Sequence, residues 1–252
     1  MSNTDVTAEQ HGEHVGVVSL HRPPNNYFDT RLIEGVAAAY EALDGSGWCR
    51  AIVLASEGRH FCAGLDFAGN AGQDIVALYR AALRLFAAPL PVVAAVQGAA
   101  IGGGCGLALS ADFRVATAQS RFSANFARLA FHHGFALTVT LPAAVGRQAA
   151  ADLLLTGRRV GGEQALALGL CDRLADEDDL LVQAIAYADE LAAAGPLAVR
   201  SIRATLRQGL VEEARLAMER ECAEQTRLRD TADFAEGVRA AAERRDPTFR
   251  GE

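Results

Sequence analysis

Residues 97–106 read QGAAIGGGCG and decide the fold of this chain. They follow a short apolar run at residues 92–96, the pattern of a strand that is buried on both faces. The glycines open a helix and leave backbone N–H groups unobstructed at the positive end of its dipole. The stretch therefore predicts a strand-to-helix turn at which the main chain comes close to a bound group.

A second turn of the same kind lies at residues 59–66, which read RHFCAGLD and follow a buried apolar run at residues 51–55. Its small residues also allow close approach of the backbone. Taken alone, this segment is more typical of an ordinary tight turn between a strand and a helix. The two segments are the parts of the sequence that carry the candidate chemistry.

Strand and helix patterns alternate through the first part of the chain. The predicted strands are 15–20, 51–55, 92–96 and 113–116, and the predicted helices are 30–43, 73–87 and 102–110. Asp29 or Thr30 is the predicted cap of the first helix. Residues 1–14 are interpreted as a polar lead. This order indicates α/β architecture to about residue 145.

Alanine-rich and leucine-rich helical patterns dominate after residue 147, and only residues 169–174 still resemble a strand. The final helix is predicted over residues 232–245, before Asp246 and Pro247. Neither a repeat of fixed period nor a long linker interrupts the sequence.

Composition excludes several functions. The 252 residues carry 24 basic and 31 acidic side chains for a net charge of -7, which disfavours nucleic acid as a partner. Every basic residue is arginine, so lysine Schiff-base chemistry is excluded. Five scattered cysteines without a C-x-x-C pair predict neither a disulfide framework nor a metal site. A polar start and the lack of a long apolar run predict a cytoplasmic protein without a membrane partner.

A dinucleotide site is the first alternative for the glycine turns, but the spacing does not fit. There is no G-x-G-x-x-G, and Arg121 and Phe122 stand where an acidic ribose partner is expected. P-loop and G-x-S-x-G patterns are also absent from the sequence.

Taken together, nine segments in order resemble the enoyl-CoA hydratase/isomerase (crotonase) superfamily. They are residues 21–24, 61–66, 95–98, 102–105, 111–113, 141–146, 155–159, 233–237 and 245–249. The resemblance covers nearly the whole chain. It implies a spiral of ββα turns over residues 1–195, with the acyl-CoA site, followed by a C-terminal helical trimerisation region over residues 196–252. A homo-trimer or homo-hexamer is the implied assembly.

The resemblance also implies a substrate and a site. The substrate is an acyl-CoA thioester, so coenzyme A enters as part of the substrate and no cofactor or metal is held permanently. The two oxyanion-hole amides of the family map onto Ala63 and Gly103, where backbone donors would stabilise the charge that develops on the thioester oxygen. The residues expected to contact the ligand around them are Arg59, Cys62, Gly64, Asp66 and Gly102. Arg59 as an ordinary surface arginine and Asp66 as a turn cap remain open alternatives.

The sequence departs from the family at the two glutamates of the hydratases, whose positions are held by Gly106 and Phe126. Isomerisation, thioester hydrolysis or C–C cleavage is therefore preferred over simple hydration, with a non-catalytic acyl-CoA binder as the alternative. His132 and His133 are the candidate acid–base residues, although adjacent histidines also serve as helix caps or subunit contacts. Cys62 and Cys105 are interpreted as small buried thiols rather than nucleophiles.

Overall fold

The computed structural model describes residues 5–66 and 74–252, and these residues form nine strands and ten α-helices. The strands are β1 (Val6–His11), β2 (Val15–Leu20), β3 (Ala51–Ser56), β4 (Val92–Val96), β5 (Ala99–Ile101), β6 (Phe113–Thr117), β7 (Arg121–Ser123), β8 (Val160–Gly161) and β9 (Arg173–Ala175). The helices are α1 (Thr30–Gly45), α2 (Ile75–Ala87), α3 (Gly103–Ser110), α4 (Leu137–Val145), α5 (Arg147–Thr156), α6 (Gly162–Leu168), α7 (Leu180–Ala193), α8 (Pro196–Leu206), α9 (Leu210–Arg229) and α10 (Ala232–Glu243).

The larger sheet has the strand order β1-β2-β3-β4-β6-β9. β1 pairs with β2 in antiparallel orientation, and the remaining neighbours are parallel. Five of the six residues of β3 and all five of β4 are buried, as their continuous apolar sequences predict. The α/β alternation expected from the sequence is confirmed.

Alternate residues of the central strands face two different layers. Ile52 and Leu54 belong to the larger core with helices α1 and α2, whereas Val53 packs in a second cluster with α7. Helix α7 turns a stripe of small residues, Ala184 and Ala188, towards β3 and β4. The central strands are thus covered on both faces, which fixes where their carboxyl ends emerge.

A smaller sheet has the strand order β5-β7-β8, and its first strand, β5, directly follows β4 along the chain. Beside β5 runs the segment at residues 61–65, because Cys62 N donates to Ala99 O and Ile101 N donates to Cys62 O. On its other side Phe28 N donates to Gly64 O at 3.0 Å. Three extended segments therefore lie side by side and bring both glycine turns together.

The helices after residue 195 pack on this core. Helix α9 lies against α2 and α4, and α10 lies against the 3-10 turn at Asn125–Leu129. Leu197 and Leu206 of α8 are 82% and 81% exposed in the isolated chain. The domain boundary at residue 195 and the trimer or hexamer stay predictions.

Several element bounds differ from the sequence expectation. β1 was missed because five of its six residues are at least partly exposed, so this edge strand shows no apolar alternation. The short strands β5, β7 and β8 were also missed, since two or three residues carry no periodic signal. Strand β9 begins at Arg173 rather than at residue 169, and α10 ends at Glu243. The predicted start of α2 at residue 73 lies outside the described residues, and Asp74 caps the helix.

Candidate active site

A cavity of about 370 Å³ lies where the two glycine turns meet. Its lining includes the turn residues Ala63, Gly64, Leu65, Asp66, Gly102 and Gly103. The aromatic residues that line it are Tyr27, Phe28, Tyr79, Phe126, Phe131 and Phe135. A mostly apolar cavity with a few polar groups at one end is typical of a small-molecule site.

Glycine is required where the two turns touch. Gly64 has φ +90°, and a Cβ on it would lie 2.7 Å from Ile101 O and 3.7 Å from Gly103 N. A Cβ on Gly104 would lie 2.1 Å from Cys62 O. Side chains at these positions would push the turns apart, so the glycines set the approach of the two backbones.

The amide of Ala63 is not a free donor, which corrects the sequence prediction. Its N–H donates to Asn25 O at 2.9 Å, within the row of extended segments. By contrast, the N–H groups of Leu65 and Gly103 donate to no group in residues 5–66 and 74–252, and both residues line the cavity. The predicted donor Gly103 thus has an unpaired amide, and Leu65 rather than Ala63 offers the second one.

The local fold explains this shift along the first turn. In an extended segment, successive N–H groups point to opposite sides, and those of Cys62 and Ala63 bond to Ala99 and Asn25. Gly103 is the first residue of helix α3, so its N–H has no partner within the helix. The cavity therefore receives one amide from the end of an extended segment and one from a helix start.

Aromatic rings occupy the space around Gly106 and Phe126, the two positions at which the resemblance implies glutamates in the hydratases. Phe126 is 7% exposed and lines the cavity. A Cβ on Gly106 would lie 2.6 Å from Phe135 Cβ, so that Phe135 closes the space above the glycine. The Phe135 ring also packs against Phe28, with ring centroids 5.6 Å apart. The lack of a side chain at Gly106 thus leaves room for Phe135, which packs between Gly106 and Phe28.

Asp66 is the carboxylic acid among the lining residues of the described chain. It follows Leu65 directly, at the mouth of the turn that offers the free amide. Its place in the cavity lining fits a ligand contact, whereas the sequence pattern alone favours a turn cap.

The two histidines do not line the cavity. Their rings stack on each other with centroids 4.2 Å apart, and His132 Nδ1 lies 2.8 Å from His133 O. His133 Nε2 lies 2.8 Å from Thr138 Oγ1. His133 Nε2 also lies 3.8 Å from the buried carboxylate of Glu221, and Gln225 donates to His132 O. Their acid–base role stays a prediction.

Burial makes His133 a source of pH-dependent stability. Burial, with a smaller contribution from His132, lowers the pKa of His133 from its ordinary 6.5 to about 4. As the pH falls below 6.5 the unfolded chain takes up a proton there, whereas the folded protein does so only near pH 4. We expect the free energy of unfolding to fall by about 2 kcal/mol between pH 7 and pH 5 from this residue.

Urea unfolding across this pH range measures the effect. The fall in the free energy of unfolding between pH 7 and pH 5 should be smaller in His133→Asn than in wild type. It should be unchanged in His11→Asn, a substitution at an exposed position. Equal slopes in wild type and His133→Asn would contradict the burial effect.

Two other predicted ligand contacts lie away from the cavity lining. Cys62 is fully buried and its backbone is bonded to β5, and burial raises the pKa of its thiol to about 12. Cys105 is buried in the same way, with its thiol pKa also raised to about 12. Arg59 is exposed outside the lining, whereas Gly64, Asp66 and Gly102 line the cavity, and the ligand contacts themselves stay predictions. The buried thiols fit the interpretation of packing rather than nucleophilic residues.

The described residues hold no cluster of three or more side chains suited to a metal ion. Among the described helices, none combines the length and the apolar character that crossing a membrane requires.

Comparison with known proteins identifies the family. The enoyl-CoA hydratase/isomerase family profile matches residues 10–252. A putative enoyl-CoA hydratase of Thermus thermophilus is 35% identical over 94% of this chain and 97% of its own length. Human mitochondrial methylglutaconyl-CoA hydratase is 31% identical over 97% of this chain and 76% of its own length.

Solved structures agree with this assignment. The crystal structure of an enoyl-CoA hydratase/isomerase from Pseudoalteromonas atlantica superposes with a TM-score of 0.88 at 28% identity, covering 98% of this chain and all of that one. An enoyl-CoA hydratase from Mycobacterium avium superposes with a TM-score of 0.87 at 26% identity, covering 98% and 99% of the two chains. The crotonase-like α/β fold expected from the sequence is confirmed, and the chain belongs to the enoyl-CoA hydratase/isomerase family.

Proposed function

We propose that this protein binds an acyl-CoA thioester with its carbonyl oxygen between the backbone amides of Leu65 and Gly103. The observation that carries the proposal is that both amides are unpaired within the described chain and border one cavity. Donors held in place by the fold stabilise a negative oxygen without rearranging, and this is the charge that an enolate places on a thioester carbonyl. Coenzyme A enters with the substrate, and no resident cofactor is part of the proposal.

The proposed reaction does not add water through two glutamates. Gly106 and Phe126 stand at those positions, and Phe135 fills the space next to Gly106. Water activation at this site would lack its pair of proton carriers. Isomerisation and C–C cleavage remain as reactions through an enolate, and thioester hydrolysis remains as a reaction through a tetrahedral oxyanion; the two amides would stabilise the negative oxygen in each case.

Among these, a shift of the double bond needs the fewest groups. One base removes a proton from the α carbon of a β,γ-unsaturated thioester, and the electrons move onto the carbonyl oxygen as a dienolate. The base, now protonated, then returns the proton to the γ carbon, which leaves the double bond between the α and β carbons. Asp66 is the lining carboxylate of the described chain and is the proposed proton carrier.

A second candidate is an acyl-CoA binder without catalytic activity. The apolar character of the cavity and the position of both histidines outside it favour this candidate. Such a protein would keep the two amides for binding alone. Assembly as a homo-trimer or homo-hexamer is proposed for either function.

Mass spectrometry of a panel of thioesters in deuterium oxide tests these alternatives. We expect a β,γ-enoyl-CoA to become its α,β isomer with one deuterium incorporated, because the base exchanges its proton with solvent. Asp66→Asn should slow this about 10²–10⁴-fold, the usual contribution of a general base. Asp178→Asn, which alters an exposed acid far along the chain, is the matched control.

The other outcomes separate the candidates. Addition of water to an α,β-enoyl-CoA as the main reaction would contradict the proposal. Binding of acyl-CoA without product from enoyl-, ketoacyl- or malonyl-type thioesters would favour the non-catalytic candidate.

A further inference from the structure

Helix α9 sends two buried polar side chains, Glu221 and Gln225, towards the segment at residues 131–136, which we call the aromatic loop. Both the carboxylate and the amide reach backbone groups in or next to this loop. The loop contributes Phe131, Gly134 and Phe135 to the cavity lining, and α9 itself contributes Gln225, whereas Glu221 lies behind the lining.

The carboxylate of Glu221 holds the end of the loop. It accepts hydrogen bonds from Ala136 N at 2.9 Å, Thr138 N at 3.0 Å and Thr138 Oγ1 at 2.7 Å. Glu221 is fully buried and does not line the cavity. Two of these donors are N–H groups at the start of α4 that have no partner within the helix, and α4 has no capping side chain of its own. Glu221 therefore supplies the cap of α4 from another helix.

Gln225 holds the other end of the loop. Its Nε2 donates to His132 O at 3.1 Å, while its Oε1 accepts from the hydroxyl of Tyr79 at 3.0 Å. Gly134 is pressed against this pair, because a Cβ on it would lie 2.0 Å from the Tyr79 oxygen. The loop is thus clamped between α2 and α9.

The loop has a backbone conformation that its own residues do not favour. Phe135 has φ +62° and Ala136 has φ +58°, in the left-handed region that side chains with a Cβ disfavour. Two such residues in succession persist when the surroundings hold them in place. The bonds to Ala136 N and Thr138 N directly adjoin the two residues, and this conformation directs Phe135 onto Phe28 and Gly106.

From these contacts we infer that Glu221 is a positioning residue for the acyl pocket: it fixes the left-handed pair Phe135–Ala136 and thereby shapes the wall that receives the acyl group. This inference rests on the proposed function. The residue does not touch the substrate. Glu221 therefore affects the binding of the acyl group and not that of the coenzyme A part, because the wall that it supports is the aromatic one.

Glu221→Gln tests the inference, since an amide of the same size cannot accept from all three donors and turns its own N–H groups towards one of them. Calorimetric titration gives the dissociation constants of coenzyme A and of hexanoyl-CoA. The constant for coenzyme A divided by the constant for hexanoyl-CoA measures how much the acyl group adds to the affinity. We expect this ratio to fall about tenfold in Glu221→Gln, with the affinity for free coenzyme A within about twofold of wild type.

Glu219→Gln, on the same helix but exposed, is the matched control and should leave the ratio unchanged. Thr138→Val removes one of the three donors and should lower the ratio by a smaller factor, which keeps the test decisive if Glu221→Gln does not fold. An unchanged ratio in folded Glu221→Gln, or an equal loss for coenzyme A and hexanoyl-CoA, would overturn the inference alone. A wild-type protein that binds both ligands equally would overturn the proposed function as well.

Discussion

Replacing Gly103 with proline is expected to lower the turnover of an acyl-CoA substrate about 10²–10³-fold, the usual effect of removing one oxyanion donor. Proline has no N–H and is well tolerated at the first position of a helix, which Gly103 occupies in α3. The substitution removes the donor while leaving the helix start compatible with its backbone. Steady-state rates measure the loss.

A matched comparison separates the donor from steric effects. A Cβ on Gly103 would lie 2.4 Å from Phe28 Cζ, so any larger residue there collides with the ring. In a Phe28→Ala background, Gly103→Ala keeps the N–H and Gly103→Pro lacks it, while both add a Cβ. The difference between these two variants is the contribution of the amide. Equal rates in both would contradict a catalytic role for Gly103 N–H.

The second large effect is on stability, at Gly106, where Phe135 packs against the bare backbone. Gly106→Ala is expected to lower the free energy of unfolding by about 2 kcal/mol, because the new Cβ would lie 2.6 Å from Phe135 Cβ in a packed core. An alanine in a helix is ordinarily about 1 kcal/mol more favourable than glycine, so the predicted sign is the reverse of the intrinsic preference. Urea denaturation measures the change.

Gly45→Ala is the control, since Gly45 is the last residue of α1 and has no atom within 4 Å of its added Cβ. This variant should be as stable as wild type or slightly more so. Phe135→Gly alone should be strongly destabilising, because it empties the place of a buried ring. In that background Gly106→Ala should cost less than it does in wild type, because the colliding Cβ of residue 135 is gone. A stabilising effect of Gly106→Ala alone would contradict the packing described for Phe135.

The sequence predicted the buried part of the fold well. β3 and β4 are continuous apolar runs, and the Asp29 cap of α1 accepts from Leu32 N as its position indicates. Edge strand β1 escaped detection because pairing with β2 requires no buried face along most of its length. Strong local patterns therefore revealed the elements whose stability comes from burial.

The candidate site was only partly predictable, for two physical reasons. The motif around Gly64 placed the turn correctly but not the direction of each N–H, which depends on pairing with Asn25 and Ala99 in distant segments. The second reason is packing between distant residues. The sequence alone suggests that a carboxylate is missing at Gly106, whereas in the fold this glycine makes room for Phe135. Glu221 likewise gave no signal, since its partners Ala136 and Thr138 lie far along the chain.

The pairing of Leu65 and Gly103 is the claim on which the proposed chemistry depends, and a crystal structure with bound hexanoyl-CoA tests it most directly. The account predicts that the thioester oxygen accepts hydrogen bonds of about 2.7–3.1 Å from Leu65 N and from Gly103 N at once. A thioester oxygen bound by neither amide, or by Ala63 N after loss of its bond to Asn25 O, would contradict it.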